Sequence, residues 1–187
     1  MELDKAIQSR KSIRRFSSKK PDWRDIIECI DAARYAPMAG NVFTLKFIIV
    51  DDKKKIEKIA EACQQNFVAK AHYLIVVCTE PKITANAYEK RGKIYCRQQA
   101  GAGIQNFLLK IQEAGLATCW VGDFVEDMIK RELSIPKEVD VEAVFPIGYG
   151  EKTLGKQRVK KEPDIDSLLY FNQYKEKRMK PLEKVNA

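Results

Sequence analysis

The residues of this sequence that are best suited to binding chemistry lie near its start, in a basic arm that runs from Arg10 to Phe16. Four of the six residues from 10 to 15 are arginine or lysine, and a serine lies among them. In an extended backbone alternate side chains share a face, so Arg10, Ser12 and Arg14 are expected to point the same way. Guanidinium groups donate in a planar fork that matches a phosphate or a conjugated carbonyl system. The basic arm is therefore a candidate anion site, and a solvated basic loop is the alternative interpretation.

Hydrolytic and metal chemistry have few residues to draw on. His72 is the one histidine, and its position beside an apolar run favours a structural role over a catalytic one. The five cysteines include no Cys-x-x-Cys pair, which disfavours zinc, iron–sulfur and thioredoxin-type sites. Their odd number also argues against a disulfide framework. We expect no metal site.

The composition predicts one globular domain over residues 1–187. Apolar residues make up 45% and charged residues 32%, as in soluble domains. The apolar runs are too short to span a bilayer and the N-terminus lacks the apolar segment of a signal peptide, so a cytoplasmic protein with no membrane partner is expected. The net charge of +8 comes from 34 cations interleaved with 26 anions, which fits nucleic acid or an anionic small ligand equally well.

Hydrophobic periodicity predicts the elements that must position the basic arm. A short helix is predicted over residues 3–9, and a second helix begins after Asp22, its expected N-cap, and ends before Pro37. The apolar stripe of this second helix is Trp23, Ile26, Ile27, Ile30 and Ala33. Residues 37–41 contain proline and glycine and are expected to form a loop.

The middle of the sequence predicts two buried strands and a long helix. The strands are Leu45–Val50 and Tyr73–Thr79, and a helix between them carries an apolar face of Ile56, Ile59, Ala60 and Cys63. The polar residues 82–93 predict a mobile segment or a short helix. A longer helix begins at about Tyr95 and ends at Gly115. Two glycines inside its apolar pattern are interpreted as close-packing positions: Gly101 and Gly103.

The next segment predicts two more strands and a helix. A short strand over Ala117–Val121 leads into Gly122. The helix that follows is expected to begin with a capping box of Asp123 and Glu126. Alternating apolar residues over 139–145 predict a half-buried strand.

The last forty or so residues differ in character from the rest. A second basic cluster covers 156–161, and an aromatic tail runs from Ile165 to Tyr174. Such a tail cannot form a core of its own, so it must pack on this chain or on a partner. Exchange of this segment between the subunits of a homodimer is the simplest arrangement.

Several motifs in consistent order resemble the FMN-dependent nitroreductase family. They are an Arg-x-Ser-x-Arg-x-Phe arm, a Pro-x-x-x-Asn loop, a Gly-Leu-x-Thr-Cys-Trp-x-Gly segment, and three later elements. In this sequence they correspond to Arg10, Ser12, Arg14 and Phe16; Pro37 and Asn41; Gly115, Leu116, Thr118, Cys119, Trp120 and Gly122; Pro146–Gly150; Lys156 and Arg158; and Phe171–Tyr174. The resemblance covers nearly the whole chain.

The resemblance implies an α+β fold and a dimer. The fold would be an α/β/α sandwich, with a central mixed, largely antiparallel sheet flanked by helices. The C-terminal extension, 156–187, would pack on the partner subunit of a homodimer.

The resemblance also implies that the basic arm binds FMN. Arg10 would meet the FMN phosphate, and Ser12 and Arg14 would reach the N1/O2 side of the isoalloxazine. Lys11 is included as a candidate contact, although alternation places its side chain on the opposite face. A cation near N1/O2 stabilises the negative charge of the reduced flavin.

Three further parts of the chain are implied at the same cofactor. Gly122 would present its backbone N–H to flavin N5, since glycine lets the backbone approach a flat ring closely. Lys156 and Arg158 would meet the phosphate. The other subunit would supply the 37–41 loop, with Pro37, Met38, Ala39 and Asn41 as candidate contacts.

The sequence departs from the family pattern at two places. Many relatives have Gln-Pro-Trp after the loop asparagine, where this sequence has Phe43-Thr44-Leu45, and Met38, Ala39 and Gly40 replace the usual serines. Gln99 stands where an aspartate is common early in the long helix. These changes leave the electron acceptor open.

Three functions remain in competition. The first is an oxidoreductase that transfers a hydride from NAD(P)H through FMN to a quinone, nitroaromatic or similar acceptor, without a catalytic side chain. The second is a specialised flavin enzyme on the same scaffold, such as a reductive dehalogenase or a flavin-consuming enzyme. The third is a basic nucleic-acid-binding module, although no helix-turn-helix, zinc finger or aromatic RNA platform is recognisable.

Overall fold

A computed structural model describes residues 1–151 and 162–178. The chain forms two compact units, Met1–Glu151 and Lys152–Ala187. The helices of the larger unit are α1 (Leu3–Ser9), α2 (Trp23–Asp31), α3 (Lys53–Cys63), α4 (Pro81–Tyr88), α5 (Gly92–Glu113) and α6 (Glu126–Leu133). Its 3-10 turns are Ala32–Tyr35, Ala39–Asn41, Val68–Lys70 and Glu89–Arg91, and its strands are β1 (Leu45–Val50), β2 (Tyr73–Thr79) and β3 (Asp140–Ile147). The smaller unit contains α7 (Ile165–Leu168).

The three strands form an antiparallel sheet with β2 in the centre. Val77 pairs with Phe47 of β1 and with Ala143 of β3, and a bulge follows between Val77 and Cys78. Every residue of β2 is buried. The predicted bounds of β1 and β2 are confirmed, and the α+β class with them.

The alternation of side chains along β2 divides the core into two layers. Leu74 and Val76 belong to the layer that includes Ile59 of α3 and Ile129 of α6. Ile75 and Val77 belong to the layer that includes Ile26 of α2, Ile104 and Phe107 of α5, and Phe145 of β3. The sheet is thus covered by helices on both faces, as the predicted α/β/α sandwich requires.

The stripe predicted for α2 is only partly buried. Ile26 is fully buried, whereas the Trp23 and Ile27 side chains remain 47% and 45% exposed. Asp22 caps the helix as predicted, because its carboxylate accepts the Arg24 N–H at 2.9 Å. The contacts of α2 with α5 and with the sheet therefore bury only some of the apolar residues on this helix.

The capping box predicted for α6 is wrong. Val125 holds the N-cap position and makes no side-chain cap bond. The Glu126 carboxylate instead accepts the Val141 N–H at 2.9 Å and pairs with Lys130 at 2.8 Å. Partial burial alone would raise the pKa of Glu126, but these two hydrogen bonds, with the Lys130 and Arg97 charges, hold it below its usual value. Glu126 therefore ties α6 to β3.

Three other expectations need correction. The short helix, one of the two alternatives for 82–93, is confirmed as α4 and is followed by a 3-10 turn, but α5 begins earlier than predicted, at Gly92. The predicted strand 117–121 makes only isolated bridges, Ala117 with Gly148 and Val121 with Val144. Gly103 is a close-packing position, since a Cβ there would lie 2.9 Å from a methyl carbon of Leu45, but Gly101 faces open space.

Among the residues that the structure describes, no helix is long and apolar enough to cross a membrane.

Candidate functional site

The basic arm is held by backbone hydrogen bonds on both sides. Ile13 donates its N–H to the Thr118 carbonyl at 2.8 Å, and Ser17 donates to the Tyr149 carbonyl at 2.8 Å. Phe16 also forms a bridge with Gly150. These bonds fix the backbone of the arm between residues 117–118 and 149–151, so its side chains start from defined positions.

Phe16 anchors the arm in the core. Its ring is buried and packs over Gly148, where a Cβ would lie 2.9 Å from Phe16 Cδ1. A side chain at position 148 would therefore push the ring away. Gly148 is required by this close approach.

The first half of the arm lines a groove beside α5. The groove has a volume of about 240 Å³, and the arm contributes Arg10, Lys11, Ser12 and Ile13 to its wall. The opposite wall is formed by α5 and the segment after it, with Gln105, Leu108, Ile111, Gln112, Leu116, Thr118 and Trp120. Two cations, two amides and two hydroxyl side chains thus share this groove with apolar side chains. This combination suits an anion with an organic body.

Thr118 brings an unpartnered hydroxyl to this groove. Its side chain is 6% exposed, and within the described part of the chain its Oγ1 has no hydrogen-bond partner. The bond between its carbonyl and Ile13 fixes its position next to the arm. The Oγ1 atom itself has almost no exposed surface. A buried hydroxyl without a partner costs about 1 to 3 kcal/mol, so a turn of this side chain toward a ligand in the groove would be favoured.

Arg14 lies apart from this groove. Its guanidinium carbon is 5.7 Å from the centre of the Phe67 ring, and it lines a second cavity, of about 610 Å³, with Lys70 and His72. Strict alternation put Arg14 on one face with Arg10 and Ser12. The arm makes an isolated bridge and no regular strand, so the alternation of an extended strand does not hold along its whole length.

Trp120 and Gly122 form an exposed platform at the end of the groove segment. The Trp120 indole is 43% exposed and its edge contacts Phe145, with ring centres 5.5 Å apart. A Cβ at Gly122 would meet only the Trp120 ring, at an ordinary distance of 3.6 Å. Packing within the described chain does not require glycine here.

The 37–41 loop lies on a different cavity from the basic arm. Pro37, Met38 and Ala39 line a pocket with Tyr95 and other residues of α5. Asn41 ends the 3-10 turn with a positive φ of 57°. Within one chain, Pro37, Met38 and Ala39 therefore line a different cavity from Arg10. The other two predicted contacts, Lys156 and Arg158, lie outside the described residues.

The histidine and the cysteines have structural environments. His72 Nε2 lies 3.2 Å from the Ser17 carbonyl oxygen, so the ring helps to hold the arm. All five cysteines are free and buried. Burial raises the pKa of Cys29 to about 12 and those of Cys63 and Cys78 to about 11, which keeps these thiols protonated. Across residues 1–151 and 162–178, no cluster of ligands could hold a metal ion.

Comparison with known proteins adds the family. The model of the nitroreductase family matches residues 7–70 and 62–149, which include the arm, the 37–41 loop and the Trp120–Gly122 platform. The chain belongs to the nitroreductase family. A protein of Archaeoglobus fulgidus named as an NADH dehydrogenase/NAD(P)H nitroreductase is 31% identical over 150 residues, which cover 78% of this chain and 83% of that protein. The chain is thus a nitroreductase-family oxidoreductase.

Solved structures give the same fold. A nitroreductase family protein from Clostridium novyi is 27% identical, with a TM-score of 0.76 over 94% of this chain and 96% of that one. An iodotyrosine deiodinase bound to FMN and 3-iodo-L-tyrosine reaches a TM-score of 0.76 at 21% identity, over 92% of this chain and 100% of that one. The expected nitroreductase-like sandwich is therefore confirmed.

Proposed function

We propose that this nitroreductase-family protein is an FMN-dependent enzyme that oxidises NAD(P)H and reduces a quinone, nitroaromatic or similar acceptor. The observation that carries the proposal is the groove of the basic arm. Arg10 and Lys11 offer positive charge there, Thr118 offers an unpartnered hydroxyl, and the exposed Trp120 and Gly122 lie next to it.

These residues fit FMN in charge and in shape. The FMN phosphate is a dianion, which Arg10 and Lys11 can bind by charge-assisted hydrogen bonds. Gly122 is exposed and has only the Trp120 ring near it, which leaves room for a flat ring. The deiodinase that shares this fold also binds FMN.

Each residue of the site has a binding role in this proposal. Arg10 and Lys11 bind the phosphate, and Lys156 and Arg158 add to it. Ser12 faces the N1/O2 edge. Arg14, which lines the neighbouring cavity in the FMN-free chain, turns toward the same edge, where its cation stabilises negative charge. Gly122 donates its backbone N–H toward N5.

The chemistry itself is supplied by the cofactor. When bound, FMN accepts a hydride from NAD(P)H and delivers electrons to the acceptor. The protein orients the two substrates in turn and needs no nucleophilic side chain. This agrees with the protonated thiols of Cys29, Cys63 and Cys78 and with the structural contact of His72.

We further propose a homodimer in the cytoplasm, in which each subunit completes the other's site. The 37–41 loop lines a cavity separate from the groove of the arm, so within one chain it does not reach a ligand there. Several apolar side chains on α1, α2 and the turn after it are exposed and need a cover: Leu3, Ile7, Trp23, Ile27 and Tyr35. Packing of a second copy, with its 156–187 extension, would cover them.

Reconstitution with FMN tests the proposal. Protein incubated with excess FMN and then desalted should keep the cofactor and its yellow colour, and NADH or NADPH should bleach it without oxygen. A protein that stays colourless after this treatment would overturn the function.

Reductive dehalogenation is the second candidate. The iodotyrosine deiodinase shares the fold, and the 38–45 segment of this chain lacks the serines and the Gln-Pro-Trp sequence of many relatives. Anaerobic single-turnover reoxidation separates the two functions. A general reductase reoxidises with several quinones and nitro compounds, whereas a dehalogenase reoxidises with a halogenated aromatic and releases halide.

A further inference from the structure

Gln99 connects the long helix α5 to the loop that precedes β1. Its side chain is 4% exposed. The Oε1 atom accepts the Ala39 N–H at 3.0 Å, and Nε2 donates to Thr44 Oγ1 at 2.5 Å and to the Val42 carbonyl at 3.4 Å. One amide thus uses both its acceptor and its donors on the segment 39–44, which only asparagine or glutamine can do.

This segment has an unusual backbone. Gly40 and Asn41 both have positive φ, 59° and 57°, and the second of these conformations is uncommon for a residue with a side chain. The turn itself contributes two weakly constraining bonds, from Asn41 N–H to the Met38 carbonyl and from Val42 N–H to that of Ala39. The Gln99 bonds join this turn to α5, and Met38 packs beside them against the core.

The hydrogen bonds of Gln99 continue through Thr44 into the buried interior. Thr44 has no exposed surface, and its Oγ1 lies 3.4 Å from Cys96 Sγ, one turn before Gln99 on the same helix. Replacing the Gln99 amide would therefore remove its hydrogen bonds to Ala39, Val42 and Thr44 and leave the Ala39 N–H without this acceptor. Ala39 is half-buried, so the loss of this bond weakens the present conformation of the loop.

We propose that Gln99 is the positioning residue for the 39–44 loop, and that through this loop it sets the affinity of the partner subunit for FMN. The inference rests on the proposed function, because the loop is taken to contact the cofactor held by the partner's arm. Gln99 does not touch the cofactor. It acts by fixing the backbone of Ala39 and Val42, and with it the direction in which Asn41 points.

The first test compares two residues of α5. Gln99→Met keeps the length of the side chain and removes its hydrogen bonds, whereas Lys93→Met changes an exposed residue on the same helix, away from the cavity of the 37–41 loop. FMN affinity, followed by quenching of flavin fluorescence, should fall about tenfold or more in Gln99→Met and remain unchanged in Lys93→Met. Equal affinities in both variants and the wild type would overturn the inference.

A mixed dimer tests whether Gln99 acts across the interface. In a dimer of one Gln99→Met subunit and one Arg10→Ala subunit, one site combines both defects and the other is intact. The mixed dimer should therefore retain one tight FMN site, although each homodimer binds weakly. Absence of a tight site would mean that Gln99 acts within its own subunit, which contradicts the proposal.

A second variant covers the case in which Gln99→Met fails to fold. Ala39→Pro removes the loop donor that Gln99 accepts, and Met38, with φ −124° and ψ 137°, already has the backbone that precedes a proline. It should weaken FMN binding like Gln99→Met, and wild-type affinity in a folded Ala39→Pro variant would overturn the inference. If the wild type itself binds no FMN, the proposed function fails instead.

Discussion

The Ile13 N–H donates to the Thr118 carbonyl oxygen at 2.8 Å, and this bond joins the basic arm to the segment that ends in Trp120 and Gly122. Because of it, the side chains of Ser12 and Thr118 line the same groove although they are far apart in sequence. Arg10, Lys11, Thr118 and Trp120 therefore line one groove.

Thr118→Val should change stability and binding in opposite directions. Replacing an unpartnered buried hydroxyl by a methyl group of similar size should raise the free energy of unfolding of the FMN-free protein by about 1 kcal/mol. The same change should weaken FMN binding by about fivefold, since the ligand loses a hydrogen bond. Denaturant unfolding and flavin fluorescence titration measure the two effects.

Thr84→Val is the matched control for this change. Thr84 is equally buried, but its hydroxyl donates to the Pro81 carbonyl at 3.1 Å. Its loss should destabilise the protein and leave FMN affinity unchanged. A stabilised Thr118→Val variant that binds FMN as well as the wild type would show that the hydroxyl does not face the cofactor.

The two glycines at 122 and 148 should respond differently to alanine. Gly122→Ala adds a methyl group that makes only an ordinary contact with the Trp120 ring, so stability should not change, but FMN affinity should fall about tenfold if a ring lies there. Gly148→Ala places a methyl group 2.9 Å from the Phe16 ring and should destabilise the fold by about 1 to 3 kcal/mol. Thermal unfolding with and without FMN distinguishes them, and full FMN affinity in Gly122→Ala would remove that residue from the site.

The cations of the site can be separated by their effects on binding and reduction. Arg14→Ala should weaken FMN retention about tenfold or more and slow flavin reduction, because a cation near N1/O2 is lost. Lys156→Ala combined with Arg158→Ala should mainly weaken retention, since these residues are assigned to the phosphate. Arg15→Ala, an exposed neighbour in the arm, is the control for charge. Stoichiometric FMN in Arg14→Ala and in the double variant of Lys156 and Arg158 would contradict the residue assignments.

The buried thiols predict how stability depends on alkaline pH. Burial raises the pKa of Cys29, Cys63 and Cys78 from the ordinary value of 9.0, so above about pH 9 these thiols ionise in the unfolded chain while they stay protonated in the folded one. The unfolded state then binds fewer protons, and the free energy of unfolding should fall as the pH rises. Denaturant unfolding between pH 7 and about pH 10, with Cys29→Ala as a comparison, measures this. A variant with the same pH dependence as the wild type would contradict a contribution from Cys29.

The elements that could be predicted from sequence are those whose signal is local. The strands β1 and β2 are short runs of buried apolar residues with defined ends, and Asp22 caps α2 through a bond to the residue two positions later. The capping box of α6 failed because the Glu126 carboxylate binds a strand that lies 15 residues further along the chain. No local pattern records that contact.

The parts of the site that sequence reasoning missed depend on the same kind of distant contact. Thr118 belongs to a motif that is visible in the sequence. That its hydroxyl is buried without a partner beside the arm becomes visible only in the folded chain. Gln99 stood out as a departure from the family pattern, yet its role as an anchor requires Ala39 and Thr44, more than fifty residues away. The Lys70 side chain beside Arg14 gave no signal in the sequence.

Binding of FMN by the Arg10 variant tests the central claim most directly. Wild-type protein and Arg10→Ala are titrated with FMN under the same conditions, and circular dichroism verifies that both are folded. The wild type should bind FMN stoichiometrically, and the variant should bind it about tenfold or more weakly because a charge-assisted contact to the phosphate is lost. Folded wild-type protein that binds no FMN, or a variant with unchanged affinity, would contradict the assignment of the groove as the FMN site.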